Sequence, residues 1–317
     1  MTKGMPIGMS MATPDPPGVY SVMTCKIHPR SRNTLLDSAR KALSSGVAAH
    51  LPRLISMKTM LVGLVAVVTV THALGQAPIS HHDGGPEVVV DRAASDIFPE
   101  SWLTEKVSAK AEPLAQELQT PGRAIVDKAL AKYPLPVLTK NLKKVYLVGN
   151  LIYSGVPTGG TNSRSAVYVV SKPKYSEAQI EGIFHAEFSS ILLRNFPNNL
   201  DREAWQKINP PTFTYLGSGV KAVKAKLASQ RLNGALHEDG FLHSYSQASL
   251  EEDFNSFAGR LFMGSDALWD AVEKYPKLMT KADLVIAFYG NLDASFTKEY
   301  FLSLRQKESP DGSQRPG

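Results

Sequence analysis

Cysteine is nearly absent from this sequence, since Cys25 is the single one among 317 residues. It lies upstream of a segment that we interpret below as a cleavable signal peptide, so the processed protein has no thiol. This excludes disulfide bonds, thiolate metal ligands and a cysteine nucleophile from the processed form. The G-x-S-x-G pattern of many serine hydrolases is missing as well, so that class is not indicated.

No cluster of one charge sign is present either. Lysine and arginine total 35 against 29 acidic residues, and the basic residues occur in ones and twos instead of alternating with aromatic residues. This distribution disfavours nucleic acid as a partner. The apolar fraction of 43% allows a sizeable core, which disfavours a disordered or fibrous chain.

The sequence also lacks an apolar run of the length that a membrane-spanning helix needs. Its longest, from Leu61 to about Val70, has roughly half of the ~20 residues required. The surrounding residues 57–75, MKTMLVGLVAVVTVTHALG, combine an early lysine with a small-residue ending before Gln76, which is typical of a signal peptide. We therefore expect export to the periplasm or the extracellular space, and membrane contact only if this segment stays uncleaved.

Five segments are predicted along the chain. Residues 1–56 form an upstream extension that is disordered or precedes a true start at Met57, and residues 57–75 form the signal peptide. A flexible arm follows at 76–100, then one folded domain at 101–303 and a disordered tail at 304–317.

Strand and helix patterns both occur in the folded domain. Residues 102–132 have helical spacing with Pro121-Gly122 as an interruption, which predicts two helices. Residues 142–154 and 165–171 are rich in Val, Ile and Tyr and flank a turn-forming segment, which predicts paired antiparallel strands. Helical spacing continues from Ser176 almost to the end. The predicted fold class is α+β, with a small antiparallel sheet packed on a mostly helical body.

One of the predicted helices carries a carboxylate on its apolar side. Ser176 and Gln179 form a capping-box start, and a helical wheel places Glu187 in the middle of the apolar stripe that follows. An unpaired buried charge costs on the order of several kcal/mol. Glu187 is therefore either part of a structural pair or a general base beside a metal or substrate. His185 lies on a different side of the helix.

A second helix begins at Ser249 and opens with three acidic residues, which complement the positive end of a helix dipole. The wheel places Glu251 and Asp253 at the two borders of its apolar face, where they can reach inward. Glu252 is predicted to point away from that face, and Asn255 follows Glu251 by one turn.

Three stretches together resemble exported bacterial zinc-binding metallopeptidases of the zincin type. They are KKVYLVGNLIYSGVPTGGTNSR, IEGIFHAEFSSILLRNFP and GFLHSYSQASLEEDFNSFAGRLF, and the resemblance covers about residues 135–301. It implies a zincin-like fold with a buried helix of the active-site type, zinc as cofactor, and a peptide or protein as substrate or ligand. In zincins, HExxH supplies two zinc-binding histidines and a catalytic glutamate, and gluzincins add a glutamate from a second helix.

Carried over residue by residue, the resemblance makes Glu187 the catalytic glutamate and Glu251 the zinc ligand from the second helix. Both histidine positions depart from the motif, because Ala186 and Ser190 stand there. His185 is one place too early and is a replacement metal ligand only if the helix is rotated. Supporting or substrate-contacting positions are assigned to Ser190, Asn255, Tyr245 and His243.

Two functions stay open. The first is a zinc-dependent metallopeptidase-like hydrolase with an altered or lost metal site, in which the peptide lies along an edge strand at residues 145–153 or 166–170. The second is a non-catalytic periplasmic or surface module that binds peptide or polysaccharide in the same cleft without zinc. Loss of both motif histidines favours the second function.

Overall fold

Two small sheets and ten α-helices make up the part of the chain that the computed structural model describes, residues 84–93 and 95–305. The strands are β1 Glu87–Val89, β2 Lys110–Glu112, β3 Lys144–Val148, β4 Asn150–Tyr153, β5 Val156–Pro157, β6 Gly160–Asn162 and β7 Ala166–Val170. The helices are α1 Gln116–Leu130, α2 Leu135–Asn141, α3 Glu177–Asn195, α4 Arg202–Ile208, α5 Gly219–Lys224, α6 Gly234–His237, α7 Leu250–Phe262, α8 Asp266–Lys274, α9 Pro276–Gly290 and α10 Lys298–Ser303. The mixed α+β class predicted from the sequence is confirmed.

The upstream extension at 1–56, the signal peptide at 57–75 and nearly all of the predicted tail lie outside the described residues. The predicted flexible arm at 76–100 differs from the structure, because it contains β1, which pairs in parallel with β3. Its consecutive valines favour a strand through their β-branched side chains. Among the described residues, no helix combines the length and apolar character needed to cross a membrane.

The first sheet has the strand order β1-β3-β7-β6 and is mainly parallel. The prediction that residues 142–154 and 165–171 pair antiparallel was wrong, since β3 and β7 run parallel. The antiparallel neighbour of β7 is β6. The prediction failed because residues 142–154 contain two strands: the chain leaves the first sheet at Gly149 and continues as β4 in a second sheet, of order β2-β4-β5.

The central strands are apolar at almost every position because both faces of the first sheet are covered. In β3, Val145 and Leu147 belong to the core shared with the helices, whereas Tyr146 and Val148 belong to a second core that contains Trp102. Burial on both faces is characteristic of parallel strands. It leaves β1 and β6 as the edges of this sheet, so the predicted edge strands at 145–153 and 166–170 are interior ones.

Helix α1 runs without a break through Pro121 and Gly122, where the sequence predicts an interruption. Proline removes a helical hydrogen bond, but packing of the apolar face of a helix can outweigh local propensity. Gly122 contributes to that packing, because a Cβ atom there would lie 3.3 Å from Leu147 Cδ2. The Pro-Gly pair therefore marks a close contact between helix and sheet.

Helix α3 lies in the centre of the described fold and contacts α1, α7, β6 and β7. The predicted capping box is present, because Ser176 Oγ accepts from the backbone N–H of Gln179 and the Gln179 side chain accepts from that of Ser176. Apolar side chains are buried around most of its circumference, and Glu187 lies among them, as the wheel predicted. Its polar residues must therefore find partners inside the protein.

Replacing Gly149 by alanine is expected to lower the free energy of unfolding by about 1–3 kcal/mol. A Cβ atom at this position would lie 2.4 Å from the carbonyl oxygen of Pro113, and a backbone atom cannot move aside cheaply. Urea denaturation of the full chain measures the effect. Gly234→Ala is the control, since nothing lies within 4 Å of a Cβ atom there. Equal stability of the two variants would contradict the close packing of Gly149 against the carbonyl oxygen of Pro113.

Candidate functional site

A cavity of about 650 Å³ lies between α3 and α7. Small and apolar residues of both helices form much of its wall, and residues 223–231 border it on another side. These small and apolar helix residues include Gly182, Ile183, Ala186 and Gly259, and Met263 directly follows α7. Its size lies within the usual range for small-molecule sites.

Glu187 lines this cavity and is only 1% exposed. The side-chain amide of Asn162, at the end of β6, donates to Glu187 Oε2 over 2.7 Å. Gly160 makes room on the other side, because a Cβ atom there would lie 2.9 Å from Glu187 Oε1. Burial raises the pKa of Glu187 well above its ordinary value and Glu251 adds to the rise, although the Asn162 hydrogen bond opposes it. The buried carboxyl therefore tends to hold a proton.

Glu252 is the second carboxyl of the cavity, and its predicted outward orientation was wrong. Ser249 does cap α7 by accepting from the backbone N–H of Glu252. The Glu252 side chain instead accepts a 2.7 Å hydrogen bond from the Tyr245 hydroxyl. Burial raises its pKa well above the ordinary value, and the charge of Glu187 raises it further. The two glutamates are thus close enough to interact.

Glu251 and Asp253, the acidic residues predicted to reach inward, have other surroundings. Glu251 lies 3.5 Å from Arg194 at the end of α3 and is not among the cavity residues. Asp253 is fully buried away from the cavity, where Lys281 Nζ donates to it over 2.6 Å and Tyr215 over 2.7 Å. Only Glu252 of the acidic triplet lines the cavity together with Glu187.

Ser190 and Asn255 connect the two helices beside the glutamates. The Asn255 side-chain nitrogen donates to Ser190 Oγ over 2.7 Å, and Ser190 Oγ in turn donates to the carbonyl oxygen of Ala186. The resemblance assigned Ser190 the position of a second zinc histidine, and in the structure its hydroxyl is engaged in these two hydrogen bonds. Asn255 itself lines the cavity.

His185 lies on the opposite side of α3 and is fully buried. Its Nδ1 atom is 2.8 Å from the Tyr133 hydroxyl, and its Nε2 atom is 3.4 Å from Glu181 Oε1. Burial lowers the pKa of His185 to about 4, although Glu181 opposes the change. The structure does not bring this imidazole to Glu187 or to the cavity.

Tyr245 and His243 both line the cavity, as does Arg260 of α7. His243 Nδ1 accepts from the backbone N–H of Ser246, and His243 Nε2 lies 3.4 Å from Arg260 Nη1. Burial lowers the pKa of His243 well below its ordinary value, and the positive charge of Arg260 has the same effect. The imidazole is therefore neutral at pH 7, and Arg260 carries the positive charge at this end.

The side chains present do not fit a zincin zinc site. Ala186 supplies a methyl group where a ligand is needed, Ser190 is held by Asn255, and both ring nitrogens of His185 face structural partners. No group of three or more His, Cys, Asp or Glu residues in the described ranges has an arrangement suited to a metal ion. The cavity instead offers carboxyl and amide groups as hydrogen-bonding partners.

Sequence reasoning missed three members of the site: Glu252, Asn162 and Arg260. Arg260 has a recognisable signal, because it follows Glu252 and Ser256 at helical spacing and so falls on the same side of α7. Asn162 has no such signal, since its contact with Glu187 depends on the position of β6 beside α3. Glu252 was misassigned because the wheel treated only one face of α7 as buried, whereas this helix is buried around most of its circumference.

Comparison of the chain with protein-family models, with curated proteins and with solved structures finds no match.

Glutamine at Glu187 or Glu252 is expected to stabilise the protein increasingly as the pH rises above about 4.5. Each carboxyl has a raised pKa when folded, so the native state keeps a proton that the unfolded chain releases. Wild-type stability therefore falls with rising pH, by up to about 1.4 kcal/mol per pH unit for each group, until the folded pKa is reached. Glutamine does not titrate and avoids this loss.

Urea denaturation of wild type and both variants between pH 4 and pH 8 measures this difference. Glu177→Gln is the matched control, because Glu177 is exposed on the same helix as Glu187. A stability difference that does not change with pH would contradict the raised pKa of the replaced carboxyl.

Proposed function

We propose that this protein is an exported zincin-like binding module that takes its ligand in the cavity between α3 and α7 without zinc. The observation that carries the proposal is the pair of buried carboxyls, Glu187 and Glu252, which face a cavity of about 650 Å³. Buried polar groups that line a concave pocket are suited to recognising a ligand. Export rests on the sequence pattern of residues 57–75.

A binding role agrees with the way in which the polar groups of the cavity are held. Glu187 is fixed by Asn162, Glu252 by Tyr245, and Asn255 by Ser190. Fixed side chains lose little conformational entropy when a ligand arrives, which favours affinity. The surrounding small residues leave space for the ligand itself.

Zinc-dependent peptide hydrolysis, the other function implied by the resemblance, has less support. Its catalytic glutamate is present in Glu187, but His185 and Ser190 do not offer the imidazole pair that the chemistry requires. We therefore derive no zinc-dependent step for this chain.

Filling the cavity is expected to weaken ligand binding strongly without unfolding the protein. Ala186 lines the cavity and is not fully buried, so Ala186→Leu places extra carbon atoms in the ligand space. Equilibrium dialysis against a pool of tri- to pentapeptides and a pool of oligosaccharides, read by mass spectrometry, measures binding. We expect the variant to lose at least about tenfold in affinity and to keep its thermal transition.

Ala287→Leu is the matched control, because Ala287 is exposed on α9 and does not line the cavity. Equal binding by wild type and Ala186→Leu would contradict the proposed use of this cavity.

His185→Ala is expected to lower stability by about 1–3 kcal/mol, because Tyr133 and Glu181 lose a buried hydrogen-bonding partner. It is not expected to change the metal content of protein purified without a chelator. Elemental analysis for zinc together with urea denaturation measures both effects. Stoichiometric zinc in the wild type that is lost in this variant would overturn the zinc-free proposal and favour a metallopeptidase.

A further inference from the structure

Glu187 of α3 and Glu252 and Asn255 of α7 line the cavity with carboxyl and amide groups, and Ser190 lies behind them. Glu187 and Ser190 lie one turn apart on α3, and Glu252 and Asn255 lie one turn apart on α7. The hydrogen bond from Asn255 to Ser190 ties these pairs together. The carboxyls of Glu187 and Glu252 therefore lie near one another, and the charge of Glu187 affects the pKa of Glu252.

Asn255 gives an independent indication of a ligand. It is 4% exposed, and its side-chain oxygen has no hydrogen-bond partner within the described ranges. The amide orientation is set by Ser190, whose hydroxyl donates to Ala186 and accepts from Asn255 Nδ2. A buried acceptor without a donor costs about 1–3 kcal/mol. A ligand that donates a hydrogen bond to this oxygen, once the Asn255 side chain turns it toward the cavity, would remove that cost.

The other end of the cavity is basic. Arg260 is half-buried, and its guanidinium donates to the backbone oxygens of Ser256 and Gln230, which orient it without neutralising its charge. Lys226 and Arg231 also line the cavity and are exposed. Arg260 follows Glu252 by eight residues, which corresponds to about 12 Å along a helix. A ligand that spans the cavity therefore meets acceptors at one end and positive charge at the other.

We propose, on the basis of the binding function argued above, that the cavity takes a short peptide with a free amino terminus. Its ammonium group donates to Glu187, Glu252 and Asn255 Oδ1, and its carboxylate or last carbonyl group contacts Arg260. A primary ammonium has three N–H donors, which match these three acceptors. Its positive charge also allows both carboxyls to ionise together. At about 3.3–3.6 Å per extended residue, three residues span most of the distance.

The small wall residues agree with this ligand. Gly182, Ala186 and Gly259 leave room for a peptide backbone between the helices. A metal ion alone would leave most of the cavity empty and would not use Arg260. A sugar chain offers hydroxyl donors for Asn255 but no positive charge between Glu187 and Glu252.

The test is isothermal titration calorimetry of the full chain with trialanine, N-acetyl-trialanine and trialanine amide. Trialanine is expected to bind, and acetylation is expected to weaken binding by at least about tenfold, because it removes the positive charge and two donors. Amidation is expected to weaken binding less, since the amide oxygen still reaches Arg260. This comparison changes only the ligand, so it does not depend on the folding of any variant.

Protein variants give the second part of the test. Glu187→Gln and Glu252→Gln are each expected to lose about tenfold in trialanine affinity, while Glu177→Gln on the outside of α3 loses none. Equal binding of trialanine and its acetylated form would overturn the inference, as would magnesium, calcium or zinc binding in place of the peptide.

The two proposals fail in different ways. If acetylated peptides or oligosaccharides bind and Ala186→Leu abolishes that binding, the cavity is a binding site but its ligand is not an amino terminus. If no ligand of either pool is sensitive to Ala186→Leu, the binding function and the amino-terminus inference are both wrong.

Discussion

The enclosure of α3 is the constraint on which the rest of the structure depends. Water cannot reach most of this helix, so each polar side chain on it needs a partner from another element. On one side, His185 forms a hydrogen bond with Tyr133, and Ser189 forms one of 2.7 Å with the Tyr289 hydroxyl. On the other side, Ser190 meets Asn255 and Glu187 meets Asn162. The helix thus has a structural side and a side that faces the cavity.

Arg194 at the end of α3 organises the surroundings of Glu187 without touching it. Its guanidinium donates to the side-chain oxygen of Asn162 and to the backbone oxygen of Ser163, and it lies beside Glu251. Asn162 can then present only its nitrogen to Glu187. Burial remains the main cause of the raised pKa of Glu187, and the positive charge of Arg194 offsets part of it. Residues outside the cavity thus orient this carboxyl and moderate its pKa.

The buried ion pair of Asp253 and Lys281 is a contrast to the cavity glutamates. Lys281, fully buried, lies 4.2 Å from the centre of the Phe241 ring, and Asp253 also accepts from Trp205 and Tyr215. Every charge there has a partner inside the fold, which is typical of a structural role. Glu187 and Glu252 have neutral donors and no direct cationic partner among the described residues. Both kinds of carboxyl are buried, so burial does not distinguish them. The presence or absence of a direct cationic partner does.

Local sequence rules predicted those features that depend on neighbouring residues. Ser176 and Gln179 marked the start of α3, and helical spacing placed Glu187 among apolar residues, because backbone geometry alone fixes which side chains share a face. The same rules misjudged Glu252, since the wheel placed it outside the apolar face and could not reveal that Tyr245 holds the carboxyl inside the protein. They also misjudged β3 and β7, because apolar strands buried on both faces carry no alternation from which to infer a partner.

The sequence by itself determined the α+β class, the central helix and a buried carboxyl that needs a partner. Only the tertiary structure decided which partner that is, which acidic residue of α7 lines the same cavity, and that Tyr133 and Glu181 are the partners of His185. The physical reason is that hydrogen bonds such as those from Asn162 to Glu187 and from Asn255 to Ser190 join residues far apart in the chain. Their geometry is set by how β6, α3 and α7 pack, and short-range sequence patterns cannot predict that packing.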